Sequence, residues 1–169
     1  MRSEALPRRC FLALAASAAL PIASPLQRSS PLFFIARSKN ANIVQYDAVE
    51  QSAGQLEPNG PIAAYWILLA EDGRREPLSR LDHVAYGFRV VPERGGSWLL
   101  TLKAAPSRAI RVLSWQGRWV AQMVIAKRSA LLNRIFVATD ESGLLPRVRS
   151  VDVYGTDMLT GRPLSERLT

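Results

Sequence analysis

Short apolar runs separated by turn-forming residues recur along the chain from about residue 32, and almost none has a helical period. In the segment 118–125, Trp119, Ala121 and Met123 fall on one face of an extended chain. Runs of this length and alternation predict β-strands. We predict nine strands, over 32–37, 42–47, 62–69, 88–91, 97–102, 109–115, 118–125, 133–139 and 148–154. The pattern therefore predicts a mainly β fold, an antiparallel barrel-like sheet or a two-layer sandwich of about eight or nine strands with one short helix.

Turn residues support this assignment. Gln116-Gly117 and Gly95-Gly96 each predict a tight hairpin, because glycine accepts a positive φ. The polar segments 38–41 and 71–74 predict two further hairpin tips. The segment 51–61 is the longest polar connection and the expected site of a mobile loop. The segment 62–70 is apolar on both faces, which predicts a central strand covered on both sides.

The short helix is predicted to follow Pro77. Ser79 is placed to cap it together with Asp82, while Leu78, Leu81 and Ala85 line one side. Gly87 is expected to end the helix in the left-handed conformation. A helix of about two turns is not stable alone, so we expect it to dock on the sheet.

Composition narrows the class of protein. The chain has 169 residues, 48% of them apolar and 21% charged, which is typical of a globular domain. This composition excludes a disordered tail, a collagen-like repeat and a disulfide scaffold. With a single Cys and a single His, most metal and hydrolase chemistries lack their usual residues.

Residues 1–24 have the features of an export signal. Arg2, Arg8 and Arg9 precede an uncharged apolar run over 11–23 that is too short to span a membrane. The Arg-Arg pair, with Phe and Leu at positions 11 and 12, resembles a twin-arginine signal, and an ordinary Sec signal is the alternative. We therefore expect a signal over 1–24, a single β-rich domain over 25–169, and a periplasmic or secreted location.

Charge suggests an anionic partner. Residues 1–24 contain three Arg and one Glu, so the remainder carries 19 basic and 13 acidic residues, a net charge of +6. Such a surface attracts lipid headgroups, cell-wall polymers or acidic ligands. The arginines are dispersed and no nucleic-acid motif is present, so we expect no nucleic-acid partner. We also expect no transmembrane segment once the signal is removed.

Residues for catalysis are scarce. His83 is the only candidate imidazole base, and neither a G-x-S-x-G elbow nor a phosphate-binding glycine loop is present. We therefore assign no catalytic residue, cofactor or metal site, and an enzyme is the least favoured of three classes.

Ligand-binding candidates come from a polar hairpin tip and from aromatic residues. Cations and amides at the tip are suited to an anionic or polar ligand, although turn formation explains them equally well. The aromatic residues suit a cavity wall, and equally a core. The candidates are Arg37, Lys39, Asn40, Asn42, Tyr46, Tyr65, Trp66 and Tyr86. A small-molecule site is expected to enclose roughly 300 Å³ or more.

Several segments together resemble the bacterial family called domain of unknown function 4833. They are 32–47, 65–67, 71–78, 85–87 and 151–157 with Thr160-Gly161, and the likeness covers residues 31–169. The resemblance implies an exported bacterial domain, and it brings no established activity, cofactor or catalytic set. It marks the 37–42 tip, Tyr65-Trp66 and Ala85-Tyr86-Gly87 as the residues of first interest.

Taken together, these features favour a non-catalytic binding module for an unidentified small-molecule or anionic ligand of the cell envelope. The alternative is a structural or protein-interaction module of the envelope. That alternative predicts a filled core and an exposed apolar patch.

Overall fold

A computed structural model describes residues 28–38, 40–140 and 147–168, with the backbone alone at Asn40. The predicted signal over 1–24 and Lys39 lie outside these residues. The elements are β1 (Arg28–Arg37), β2 (Asn40–Ser52), β3 (Gln55–Leu56), β4 (Ile62–Leu68), β5 (Arg74–Pro77), α1 (Asp82–Ala85), β6 (Phe88–Pro92), β7 (Trp98–Leu102), β8 (Ala109–Trp115), β9 (Arg118–Ile125), β10 (Arg128–Asp140), β11 (Arg147–Asp157) and β12 (Pro163–Leu168).

The strands form one curled sheet that resembles a half-barrel. Its main path runs β5-β4-β2-β1-β10-β9-β8-β7-β6, with β11 and β12 on the other side of β10 and β3 on β2. The mainly β prediction is confirmed, and the barrel-like architecture describes the sheet better than the sandwich does.

Strand β10 joins the two halves of the sheet. On one edge it pairs with β11 over residues 130–140. On the opposite edge it pairs with β9 over residues 128–131 and with β1 over residues 134–137. The β1–β10 pair is parallel, unlike the antiparallel arrangement predicted throughout, while the other pairs in the described residues are antiparallel. These strands come from opposite ends of the chain, where no hairpin sets their direction.

All nine predicted strands are present, and β3, β5 and β12 are additional. The expected loop over 51–61 contains β3, which folds back so that the Glu57 N–H donates to the Val49 carbonyl at 2.9 Å. Strand β4 is not central, since it lies beside the edge strand β5 and five of its seven residues are half-buried. Short edge strands such as β5 carry charge and proline, so their hydrophobic pattern does not reveal them.

The predicted hairpin at Gln116-Gly117 is confirmed, with φ of 50° and 76°. Gly95 and Gly96 also have positive φ, but their hairpin has five residues, 93–97, instead of the predicted two. A turn not predicted joins β9 to β10 through Ala126 and Lys127, both at positive φ without glycine.

Helix α1 has a single turn. The predicted capping pair is confirmed, since the Ser79 hydroxyl donates to Asp82 Oδ2 at 2.7 Å and the Asp82 N–H donates back to Ser79 Oγ. The predicted docking side is correct for Leu78, which is buried, and wrong for Leu81, which is 83% exposed, and for Ala85, which is also exposed. The prediction that Gly87 adopts the left-handed conformation is also wrong. Its φ is outside that region, and glycine is needed there because a Cβ would lie 2.1 Å from the His83 carbonyl oxygen.

Candidate functional site

An apolar groove opens in the concave face of the sheet, where the inner residues of the central strands meet the β7–β8 loop and the end of α1. Apart from Arg108, every lining residue is apolar or aromatic. The lining residues are Ile35, Ala85, Tyr86, Leu102, Ala104, Ala105, Arg108, Ile110, Met123, Ile135, Val137, Val151, Val153 and Leu168. Register explains the continuity of the wall, because Ile135 pairs with Val153 and Val137 pairs with Val151. The groove therefore has aliphatic walls and one cation.

The groove encloses about 110 Å³. That volume is below the roughly 300 Å³ expected of a pocket that holds a whole small molecule. The groove is therefore suited to part of a ligand, such as a narrow apolar chain, and not to a bulky ring system.

Three of the predicted site residues form one cluster beside the groove. The Arg37 guanidinium carbon lies 5.1 Å from the Trp66 ring centroid and 5.5 Å from that of Tyr86. The two rings meet edge to face at 5.2 Å. Arg37 pairs with Val137 across the β1–β10 ladder, and both Val137 and Tyr86 line the groove. Arg37 therefore lies at the groove rim with its charge held against two aromatic rings.

Asp82 on α1 supplies a negative charge to this cluster. Burial by itself would raise the pKa of the Asp82 carboxyl. Hydrogen bonds from the Ser79 hydroxyl and N–H and from the Trp66 indole, with the charge of Arg37, outweigh burial and lower the pKa overall. The cluster thus contains both charges, which partly neutralises Arg37.

Tyr46 supports the groove from within the core. Its ring is fully buried and stacks on Phe33 at 4.5 Å, and its hydroxyl donates to the Tyr86 carbonyl at 2.6 Å. Burial raises the pKa of the Tyr46 hydroxyl, so this donor stays neutral and bonded. Tyr46 positions Tyr86 and does not itself line the groove.

Tyr65 lies on the opposite face of the sheet from Trp66, as adjacent residues on a strand must. Its hydroxyl donates to Asp47 Oδ2 at 2.6 Å, and Gln45 donates to Asp47 Oδ1 at 3.0 Å. Burial, followed by the bond to Asp47, raises the pKa of Tyr65 to about 12. The Arg75 guanidinium lies over the Tyr65 ring at 4.8 Å. The structure thus separates Tyr65 from the Arg37 cluster.

Arg108 is the charged residue that sequence reasoning missed. Its Nη2 lies 3.0 Å from Glu166 Oε2, an ion pair without hydrogen-bond alignment, and its Nε is buried without a hydrogen-bond partner in the described part of the chain. Glu166 is two residues before Leu168 on β12, so its side chain lies on the same face of the strand as Leu168, which lines the groove. The residues before Arg108 are small turn formers, and no local signal marks it as a site residue.

The remaining predicted residues are less informative. Asn40 starts β2, and Asn42 is half-buried on the same face as Val44. His83 is exposed on α1 and is not among the groove residues. Across residues 28–38, 40–140 and 147–168, no three His, Cys, Asp or Glu side chains are grouped to hold a metal ion. No helix in those ranges is both long enough and apolar enough to cross a membrane.

Comparison with known proteins gives one result. The family model described as domain of unknown function (DUF4833) matches residues 33–167, which is most of the chain. The match includes every groove residue except Leu168, and also Arg37 and Glu166. Searches of curated proteins and of solved structures gave no significant match. The chain therefore belongs to the DUF4833 family of domains of unknown function.

Proposed function

We propose that this chain is a non-catalytic binding domain of the cell envelope whose groove takes the apolar chain of a small amphiphile. The observation that carries the proposal is the continuous aliphatic wall of the groove, which Arg108 alone interrupts with a charge. Apolar surface left open to water is costly, and covering it with a ligand chain is favourable.

The size and shape of the groove favour a chain over a compact molecule. A groove of about 110 Å³ with an open side leaves a headgroup at its rim in contact with water. The rim carries Arg37 and Arg108, and the predicted mature chain has a net charge of +6. These features support an amphiphile with a polar or anionic end.

Displacement of a neutral fluorescent reporter tests the proposal. The methyl ester of cis-parinaric acid, a neutral and linear fluorescent polyene, is expected to bind the purified protein and to be displaced by dodecanoate. Ala105→Phe fills the groove from the β7–β8 loop and is expected to reduce reporter binding at least tenfold. Ala53→Phe adds the same ring at an exposed turn outside the groove and is expected to have no effect. Equal binding by the two variants would contradict the proposal.

A protein-interaction module is the second candidate, and one observation favours it. Leu81 and Val84 are 83% and 72% exposed, and they are close in sequence to Ala85 and Tyr86, which line the groove. Leu81→Ser with Val84→Ser is expected to leave reporter binding unchanged if the groove binds an amphiphile. Loss of a specific envelope partner in cross-linking, without loss of reporter binding, would favour the second candidate.

A periplasmic or secreted location is part of the same proposal. The Arg8-Arg9 pair and the following apolar run support export by a twin-arginine signal over residues 1–24. A periplasmic or secreted domain meets free acyl chains, lipids and cell-wall polymers. The expected ligand belongs to the first of these groups.

A further inference from the structure

Arg108 has a geometry that a structural role alone does not explain. The residue lies at the end of the 103–108 connection, and Ala104 and Ala105 of that connection line the groove with it. Its Nη2 is at ion-pair distance from Glu166 without a well-aligned hydrogen bond, while its Nε is buried and unpartnered within the described chain. A buried guanidinium N–H without an acceptor is costly, so an added acceptor at this point is favourable.

Glu166 has a second function in the same place. Its Oε2 accepts the Ala126 N–H at 2.9 Å, in the β9–β10 turn where Ala126 and Lys127 hold positive φ. One carboxylate therefore links that turn, β12 and the loop that carries Arg108. The side chains of Arg108 and Glu166 are 29% and 27% exposed, but the Nε and Nη2 atoms of Arg108 are buried. A ligand headgroup therefore has to reach these donors from the groove that Arg108 lines.

We propose that Arg108 binds the anionic head of the amphiphile, a carboxylate or phosphate on a single apolar chain, and that Glu166 competes with that head for the guanidinium. The inference rests on the proposed function of the groove. The planar guanidinium offers two parallel donors to an oxyanion, an arrangement that Glu166 does not satisfy. Arg37 also has a buried Nε without a hydrogen-bond partner in the described residues. It is still the less suitable anchor, because two aromatic rings and Asp82 already hold its charge and it is not among the residues that line the groove.

Three probes of equal chain length test the proposal at pH 7.5: dodecanoate, dodecan-1-ol and dodecylammonium. Displacement of the parinaric acid methyl ester measures the affinity of each. We expect dodecanoate to bind about tenfold more tightly than the alcohol, and dodecylammonium to bind more weakly than either.

Arg108→Gln is expected to remove the preference for dodecanoate over dodecanol while leaving the affinity for dodecanol within twofold. Arg111→Gln is the matched control, because Arg111 pairs with Glu93 on the outer face of β8. That control is expected to keep the preference. Glu166→Gln retains an acceptor for Ala126 and is expected to raise dodecanoate affinity several-fold, which gives a second result should Arg108→Gln fold poorly.

An unchanged dodecanoate-to-dodecanol ratio in both Arg108→Gln and Glu166→Gln would overturn this inference and leave the groove proposal intact. If none of the three probes displaces the reporter from the wild-type protein, the groove proposal itself fails and the inference fails with it. A loss of preference equally large in Arg111→Gln would assign the effect to net charge and would also overturn the role of Arg108.

Discussion

The Tyr46 hydroxyl donates to the backbone carbonyl of Tyr86 over 2.6 Å, and this bond joins a fully buried ring on β2 to a residue that lines the groove. Phe33 and Phe88 pack against the Tyr46 ring and fix its direction. Because Tyr86 also contacts Arg37 and Trp66, the same bond positions one end of the groove.

Tyr46→Phe tests that relationship. The ring stack is retained, but the buried Tyr86 carbonyl loses its donor, which is expected to lower the free energy of unfolding by about 1–3 kcal/mol. Reporter affinity is expected to fall as well, because Tyr86 is less firmly held. Tyr65→Phe is the control, since it removes a hydroxyl bond of equal length on the opposite face. Urea unfolding and reporter titration measure both effects, and equal losses of affinity would refute the positioning role.

Gly87→Ala is expected to destabilise the fold at the end of α1. The new Cβ would lie 2.1 Å from the His83 carbonyl oxygen, a backbone atom that moves only with the helix. We expect the free energy of unfolding to fall by about 1–3 kcal/mol. Gly60→Ala has no atom within 4 Å of its Cβ and is expected to change stability by less than about 0.5 kcal/mol. Thermal unfolding that ranks the two variants equally would be inconsistent with this contact.

The sequence was most informative where a residue's neighbours lie close along the chain. The alternation in β9, the Gln116-Gly117 turn and the Ser79–Asp82 cap were all predictable, because each depends on local geometry. Strand β12 was not predictable from the sequence, because it contains several polar residues and is held in the sheet by its pairing with β11.

One part of the candidate site was predictable from the sequence, and the other part was not. Arg37, Trp66 and Tyr86 are found together, although they lie on β1, on β4 and directly after α1. The groove and the pairing of Arg108 with Glu166 depend on how β10 joins the two halves of the sheet, and no periodicity of hydrophobic residues encodes that contact.

Acid is expected to destabilise the protein. The Thr160 N–H, followed by the Leu159 N–H and Arg128, lowers the pKa of Asp157 against the opposing effect of burial. The Ala126 N–H and Arg108 likewise lower the pKa of Glu166 below its ordinary value of 4.5. A carboxyl whose folded pKa is depressed stabilises the fold above its unfolded pKa, and the contribution is lost as pH falls through the folded pKa.

The melting temperature is therefore expected to be nearly constant from pH 7 to pH 5 and to fall below about pH 4.5. Asp157→Asn is expected to lower the melting temperature at pH 7 and to make the decrease in acid smaller. A melting temperature that rises between pH 5 and pH 3 would contradict the assignment of these carboxylates.

Export by the twin-arginine route is tested with Arg8→Lys and Arg9→Lys together. The charge of the signal is conserved while the Arg-Arg pair is lost, so the precursor is expected to accumulate in the cytoplasm. Fractionation and immunoblotting measure precursor and mature forms. The single variant Arg2→Lys is the control and is expected to be exported normally. Unimpaired export of the double variant would leave an ordinary Sec signal as the explanation.

Methyl NMR tests the central claim, binding of an apolar chain in the groove, most directly. Ile110 and Ile135 line the groove, whereas Ile43 and Ile67 pair on the outer face of β2 and β4. On titration with dodecanoate, the δ1 methyl signals of Ile110 and Ile135 are expected to shift and saturate, while those of Ile43 and Ile67 stay in place. Unchanged Ile110 and Ile135 signals, or equal shifts on both faces, would contradict the account.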